Sequence, residues 1–93
     1  MRLKEIEQEA IVSCIKELDE HACVYLFGSR VDDAKRGGDI DLLIISQALS
    51  RDDKRRIRSK LFEALGEQKI DIVIASDDSD PFVKLALSTG IQL

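Results

Sequence analysis

One histidine and two cysteines in 93 residues remove several chemistries at the outset. Cys14 and Cys23 support neither a disulfide framework nor a zinc site; thiols of this kind are expected as inert core or near-core groups. His21 has no companion with which to build a His-based triad or a histidine metal cluster. It follows a helix in a polar turn and is expected at the surface. No G-x-x-x-x-G-K-[ST] phosphate loop occurs. There is no signal peptide and no long apolar span, which predicts a cytoplasmic protein with no membrane segment. Low-complexity tracts are missing, and the length allows one core but not two, so residues 1–93 are read as a single domain. With a net charge of −4, bulk electrostatics give no general attraction to nucleic acid, and no direct nucleic-acid binding is expected.

Helix and strand signals alternate along the chain. Leu3, Ile6, Ala10, Ile11, Cys14, Ile15 and Leu18 recur at the 3.6-residue period and predict a core-facing amphipathic helix from Leu3 to about Asp19. Ala22 to Phe27 is a short, continuously apolar run of the central-strand type. Asp32 to Gly38 reads as a short helical turn and loop. Asp39 to Ser46 is a second strand, with Leu42 to Ile45 buried on both faces. Ser50 and Asp53 form a capping-box-like start to a helix that ends near Leu65, with Gly66 as its natural stop. Arg51, Lys54, Arg55 and Arg58 make a basic stripe on it. A solvated helix face is the simpler account of that stripe, and a surface for an acidic partner or RNA is the alternative. Lys69 to Ala75 is the third strand. Asp80 and Pro81 then open a last helix as N-cap and N1, with Phe82, Val83, Leu85, Ala86 and Leu87 docking it. Gly90 ends this helix, and Ile91 to Leu93 is a tail. Asp77, Asp78 and Asp80 are better read as capping and turn residues than as a calcium loop, whose glycine and distal glutamate are missing.

The chemistry concentrates in Leu26 to Ile45. An apolar run ends at Gly28-Ser29, and Asp39-Ile-Asp41 opens the next. Residues i and i+2 of a strand share a face, so Asp39 and Asp41 are expected side by side. Two close carboxylates repel, more so when desolvated, and a divalent cation of the Mg²⁺ type relieves this. Glycine lets a phosphate approach the backbone, and a helix starting at Ser29 would aim free N–H groups at it. Gly38-Asp-Ile-Asp-Leu-Leu-Ile-Ile45 is echoed by Lys69-Ile-Asp-Ile-Val-Ile-Ala75. If the two strands are neighbours, Asp71 joins Asp39 and Asp41; on an edge strand it would simply face solvent.

Gly28-Ser29, Asp39-x-Asp41 and the later Asp71, in a helix–strand alternation covering nearly the whole chain, resemble the minimal nucleotidyltransferase family of the polymerase-β-like nucleotidyltransferase superfamily. The nine residues between Ser29 and Asp39 are fewer than in many members. The resemblance implies a mixed α/β (α+β) domain with a mixed sheet of three or four strands flanked by helices. It implies that Asp39 and Asp41 bridge two Mg²⁺ ions, that Asp71 holds the metal serving the acceptor hydroxyl, and that Gly28, Ser29 and Arg30 cradle the triphosphate of ATP. Small members resemble the antitoxins of toxin–antitoxin pairs, in which AMP is transferred to a tyrosine of a HEPN-domain toxin. A homo- or hetero-oligomer is compatible with this.

Three functions follow from this reading. The first is an adenylyltransferase acting on a partner protein, since a complete donor site leaves no residues for an acceptor domain. The second is a non-catalytic nucleotide-binding antitoxin that neutralises its partner by contact. The third, a nucleotide-sugar glycosyltransferase using its own Asp-x-Asp, needs a larger fold than this chain supplies.

Overall fold

Burial alternates along β1 (Cys23–Phe27), whereas β2 (Ile40–Ile45) is buried on both faces from Leu42 to Ile44, so the sheet is covered on two sides. The computed structural model describes residues 3–31 and 39–93, without the side chains of Ser29 and Arg30. The strands are β1 (Cys23–Phe27), β2 (Ile40–Ile45), β3 (Ile70–Ala75) and β4 (Ile91–Gln92), in the spatial order β3-β2-β1-β4. β1 pairs antiparallel with β2 and with β4, while β2 and β3 run parallel. A parallel pair needs a crossover, and helix α2 (Lys54–Leu65) provides it.

Val24 and Leu26 of β1, Ile40, Leu42 and Ile44 of β2, and Ile70 and Ile72 of β3 point to one face. There they meet Ile11 and Ile15 of helix α1 (Glu5–Leu18) and Ile57 and Leu61 of α2. On the opposite face Leu43, with Tyr25, Phe27, Ile45, Val73 and Ala75 around it, packs on Val83 and Ala86 of helix α3 (Pro81–Thr89). The fold is therefore a four-stranded mixed sheet with two helices on one side and one on the other. Burying these branched aliphatic side chains on both faces of β2 is the main source of stability.

Local chemistry sets the helix ends. Glu7 accepts the Lys4 N–H at 3.1 Å at the start of α1. Asp80 accepts the Phe82 N–H at 2.7 Å, with Pro81 at the first helical position of α3. Gly66, at φ +79°, ends α2 in a conformation that side chains with a Cβ resist.

Several expectations are corrected. Ser50 opens not α2 itself but a 3₁₀ turn, Arg51–Asp53, through its N–H to Asp53 Oδ2 at 2.8 Å; α2 starts one turn later, at Lys54. Ile6 is 73% exposed, and Phe82 and Leu85 are 49% and 61% exposed, so the apolar period overstated the buried stripes of α1 and α3. Ile91 and Gln92 are not a loose tail but a strand that completes the sheet beside β1. The short helical turn expected from Asp32 to Gly38 lies outside the described residues. Among the described residues no helix is long and apolar enough to cross a membrane. His21 is on the surface beside Glu20.

Candidate active site

A row of three side chains crosses the sheet where β1 ends and β2 and β3 begin. Phe27 is paired with Asp41 across the antiparallel ladder, and Asp41 with Asp71 across the parallel one. Asp41 and Asp71 belong to the positions that alternate away from Ile40, Leu42, Ile70 and Ile72, and so lie on the α3 face of the sheet. The repeated Ile-Asp-apolar motif of the two strands thus becomes a spatial pair. Both features considered for Asp71 hold together: β3 is an edge strand and Asp71 is exposed, yet it lies beside Asp41.

Asp41 is half-buried. Its carboxyl is held above the ordinary carboxylate range, first by burial and then by the negative charges of Asp71 and, less strongly, Asp39; a hydrogen bond to Asp71 acts in the same direction. All of these causes disfavour a second negative charge at this point. Asp39 stands just ahead of β2, which begins at Ile40, so it is not a strand residue as expected. Its Oδ2 is 3.5 Å from Lys69 Nζ, a cation the sequence reading did not connect with the site. Both residues flank the strand starts where Ile40 N–H donates to Lys69 O at 3.0 Å, a pairing invisible without the register.

Gly28 follows Phe27 directly, with φ +77°. The backbone conformation favours glycine, and any Cβ here would also have to displace the Asp41 carboxylate. The helix expected to start at Ser29 is a short 3₁₀ turn, Gly28–Val31. The side chains of Ser29 and Arg30, expected at the phosphates, lie outside the described residues. The apolar border of the row is Phe27, whose ring meets that of Phe82 edge-to-face with centroids 5.7 Å apart.

The family described as polymerase beta, nucleotidyltransferase matches residues 9–93, which spans every strand and all but the start of α1. The chain belongs to this nucleotidyltransferase family. No curated protein gave a significant match. The mixed sheet with flanking helices agrees with the small nucleotidyltransferase fold, and nucleotidyl transfer is the activity that membership supports.

Among the described residues, no three acidic, histidine or cysteine side chains converge as a ready cluster of ligands. What is present is a close pair of hard oxygen donors, Asp41 and Asp71, whose mutual repulsion a cation would relieve, with Asp39 two residues from Asp41. These donors suit Mg²⁺.

Proposed function

We propose that this chain transfers AMP from ATP to a hydroxyl, a tyrosine, of a HEPN-type toxin, and so serves as its antitoxin. The observation that carries the reading is the Asp41–Asp71 pair on adjacent parallel strands, with Gly28 held against Asp41. It joins the repeated Asp motif of the sequence to the chemistry of the nucleotidyltransferase family.

In this reading Asp39, Asp41 and Asp71 hold Mg²⁺, and Gly28, Ser29 and Arg30 lie at the triphosphate. Bound Mg²⁺ supplies charge neutralisation for the attacking and leaving oxygens of an in-line displacement. Asp41, half-buried behind Gly28, stays fixed at the inner end of the site. Asp71, exposed on the edge strand, stands where a second molecule can approach. The acceptor oxygen forms a bond to the α-phosphorus, the bond from that phosphorus to the α–β bridging oxygen breaks, pyrophosphate leaves and the hydroxyl proton is released. In this reading the acceptor hydroxyl belongs to the partner protein, which approaches from the open β3 side.

The test is to incubate the chain with a HEPN-type toxin, Mg²⁺ and ATP, and to read intact masses. The partner gains one or more AMP units, and the Asp41→Asn chain adds none. A tight complex with no mass change would replace this reading with neutralisation by contact alone.

A further inference from the structure

The outer edge of β3 and the flank of α2 above it form a second surface. β3 pairs with β2, and among the described residues no strand lies on its other side. Its Lys69 and Ala75 carbonyls accept from Ile40 and Ser46 of the β2 segment, at 3.0 and 2.9 Å. In a parallel ladder this alternation turns the N–H and C=O groups of residues 70, 72 and 74 toward the open side. An apolar edge with free backbone groups is a template for another extended chain.

The cations point the same way. Arg55, Arg58 and Phe62 of α2 are spaced 3 and 4 residues apart and make one stripe, with Arg51 on the 3₁₀ turn just ahead of it. The α1 side of α2 is a different one: there Lys60 pairs with Glu17 at 2.8 Å, and the Lys60 carbonyl meets Cys14 Sγ at 3.8 Å. α2 packs on α1 and, in the sheet, on β3, so its flank turned away from α1 lies toward the β3 edge. Arg51, Arg55 and Arg58 are exposed, and none forms an ion pair with a described residue, whereas Arg56 and Lys60 do. Phe62, 58% exposed, adds an apolar anchor. Lys54, half-buried, sits nearer the sheet and does not belong to this stripe.

We infer that the β3 edge and the Arg51–Arg55–Arg58–Phe62 stripe together bind an extended, acidic segment of a partner protein, added as a strand beside β3. Alternate side chains of such a strand would face α2, with carboxylates meeting the arginines and an apolar residue meeting Phe62. Charge selects this occupant. A second copy placed edge to edge by a twofold axis would set the same three arginines against each other, and a nucleic acid has no alternating backbone N–H and C=O groups to pair with the β3 edge. Resting on the transfer reading, the same segment passes beside Asp71 and can deliver the acceptor hydroxyl.

The probe is a short synthetic peptide alternating Glu and Thr around one central Leu, titrated into the nucleotide-free chain. Controls are its Lys-for-Glu counterpart, an alternately N-methylated version and poly(U) RNA. The Glu peptide binds, protects the Ile72 and Ile74 amides from hydrogen exchange, and loses affinity by about tenfold or more in the Arg55→Glu, Arg58→Glu double variant. The Lys and N-methylated peptides do not compete. No binding, unchanged affinity in the double variant, tighter binding of poly(U), or self-association through this edge would each overturn the inference. Because no nucleotide is present, any of these outcomes leaves AMP transfer to be judged by its own assay.

Discussion

Asp41 and Asp71 occupy paired positions on parallel neighbours β2 and β3, and burial, then the Asp71 charge, hold the Asp41 carboxyl above its ordinary range. Two carboxylates held together in this way work against folding until a cation joins them. In EDTA, Asp71→Asn removes a like charge and leaves an amide able to donate to Asp41. The variant should melt at the same temperature as the wild type or higher, with a gain of up to about 1 kcal/mol, a few degrees for a domain this size. A melt several degrees lower would mean that Asp71 holds the fold together instead. Leu43→Ala is the contrasting control. Leu43 is fully buried against α3, and its truncation should cost about 2–5 kcal/mol.

Gly28→Ala should be damaging in a different way. A left-handed conformation costs a residue bearing a Cβ about 1–2 kcal/mol, and the added carbon also displaces the Asp41 carboxylate. Both the melting temperature and Mg-ATP binding are expected to fall. Loss of stability with unchanged binding would separate Gly28 from the site.

The pH dependence should come partly from Asp19, far from the carboxylate pair in sequence. Ser46 donates its hydroxyl to Asp19 Oδ2 at 2.6 Å, and the His21 N–H reaches Oδ1 at 3.0 Å. These bonds hold the Asp19 carboxyl below its ordinary range, the Ser46 hydroxyl first. A depressed carboxylate stabilises the fold above its unfolded pKa of about 3.9, and that contribution is lost as pH falls through the folded value. Asp19→Asn should therefore lower the melting temperature at neutral pH, and the difference should close as the pH drops below 4. A difference that widened in acid would contradict the assignment.

Ser46 itself is buried, and its oxygen accepts the Leu49 and Ala48 N–H groups at 2.8 and 3.1 Å. Ser46→Ala should cost about 1–3 kcal/mol by orphaning the buried Leu49 donor. Thermal or denaturant unfolding measures this, and a neutral result would show that water replaces the hydroxyl.

Much of this site was legible because its signals are local. Period two places Asp41 on the face away from Leu42, and the same rule applied to Ile70-Asp71-Ile72 makes the two aspartates partners once the strands are adjacent. Asp80-Pro81 carries its capping chemistry in two adjacent residues. The remainder depended on distance through space. Lys69 meets Asp39, and Ser46 meets Asp19 across 27 residues, and no periodicity reports either contact. Phe82 and Leu85 follow an apolar pattern yet stay about half exposed or more, because among the described residues no second helix covers the outer side of the nine-residue α3. A glycine that leaves room for a phosphate is visible in the sequence; that its bare Cα also faces the Asp41 carboxylate is visible only in space.

Calorimetric titration of Mg-ATP tests the central claim most directly, with wild type, Asp41→Asn and Asp71→Asn run side by side after each is shown to melt cooperatively. The account predicts that the wild type binds Mg-ATP and that each variant binds at least about tenfold more weakly, a loss of roughly 1.4 kcal/mol or more. Equal binding by all three would remove the carboxylate pair from the nucleotide site and contradict the account.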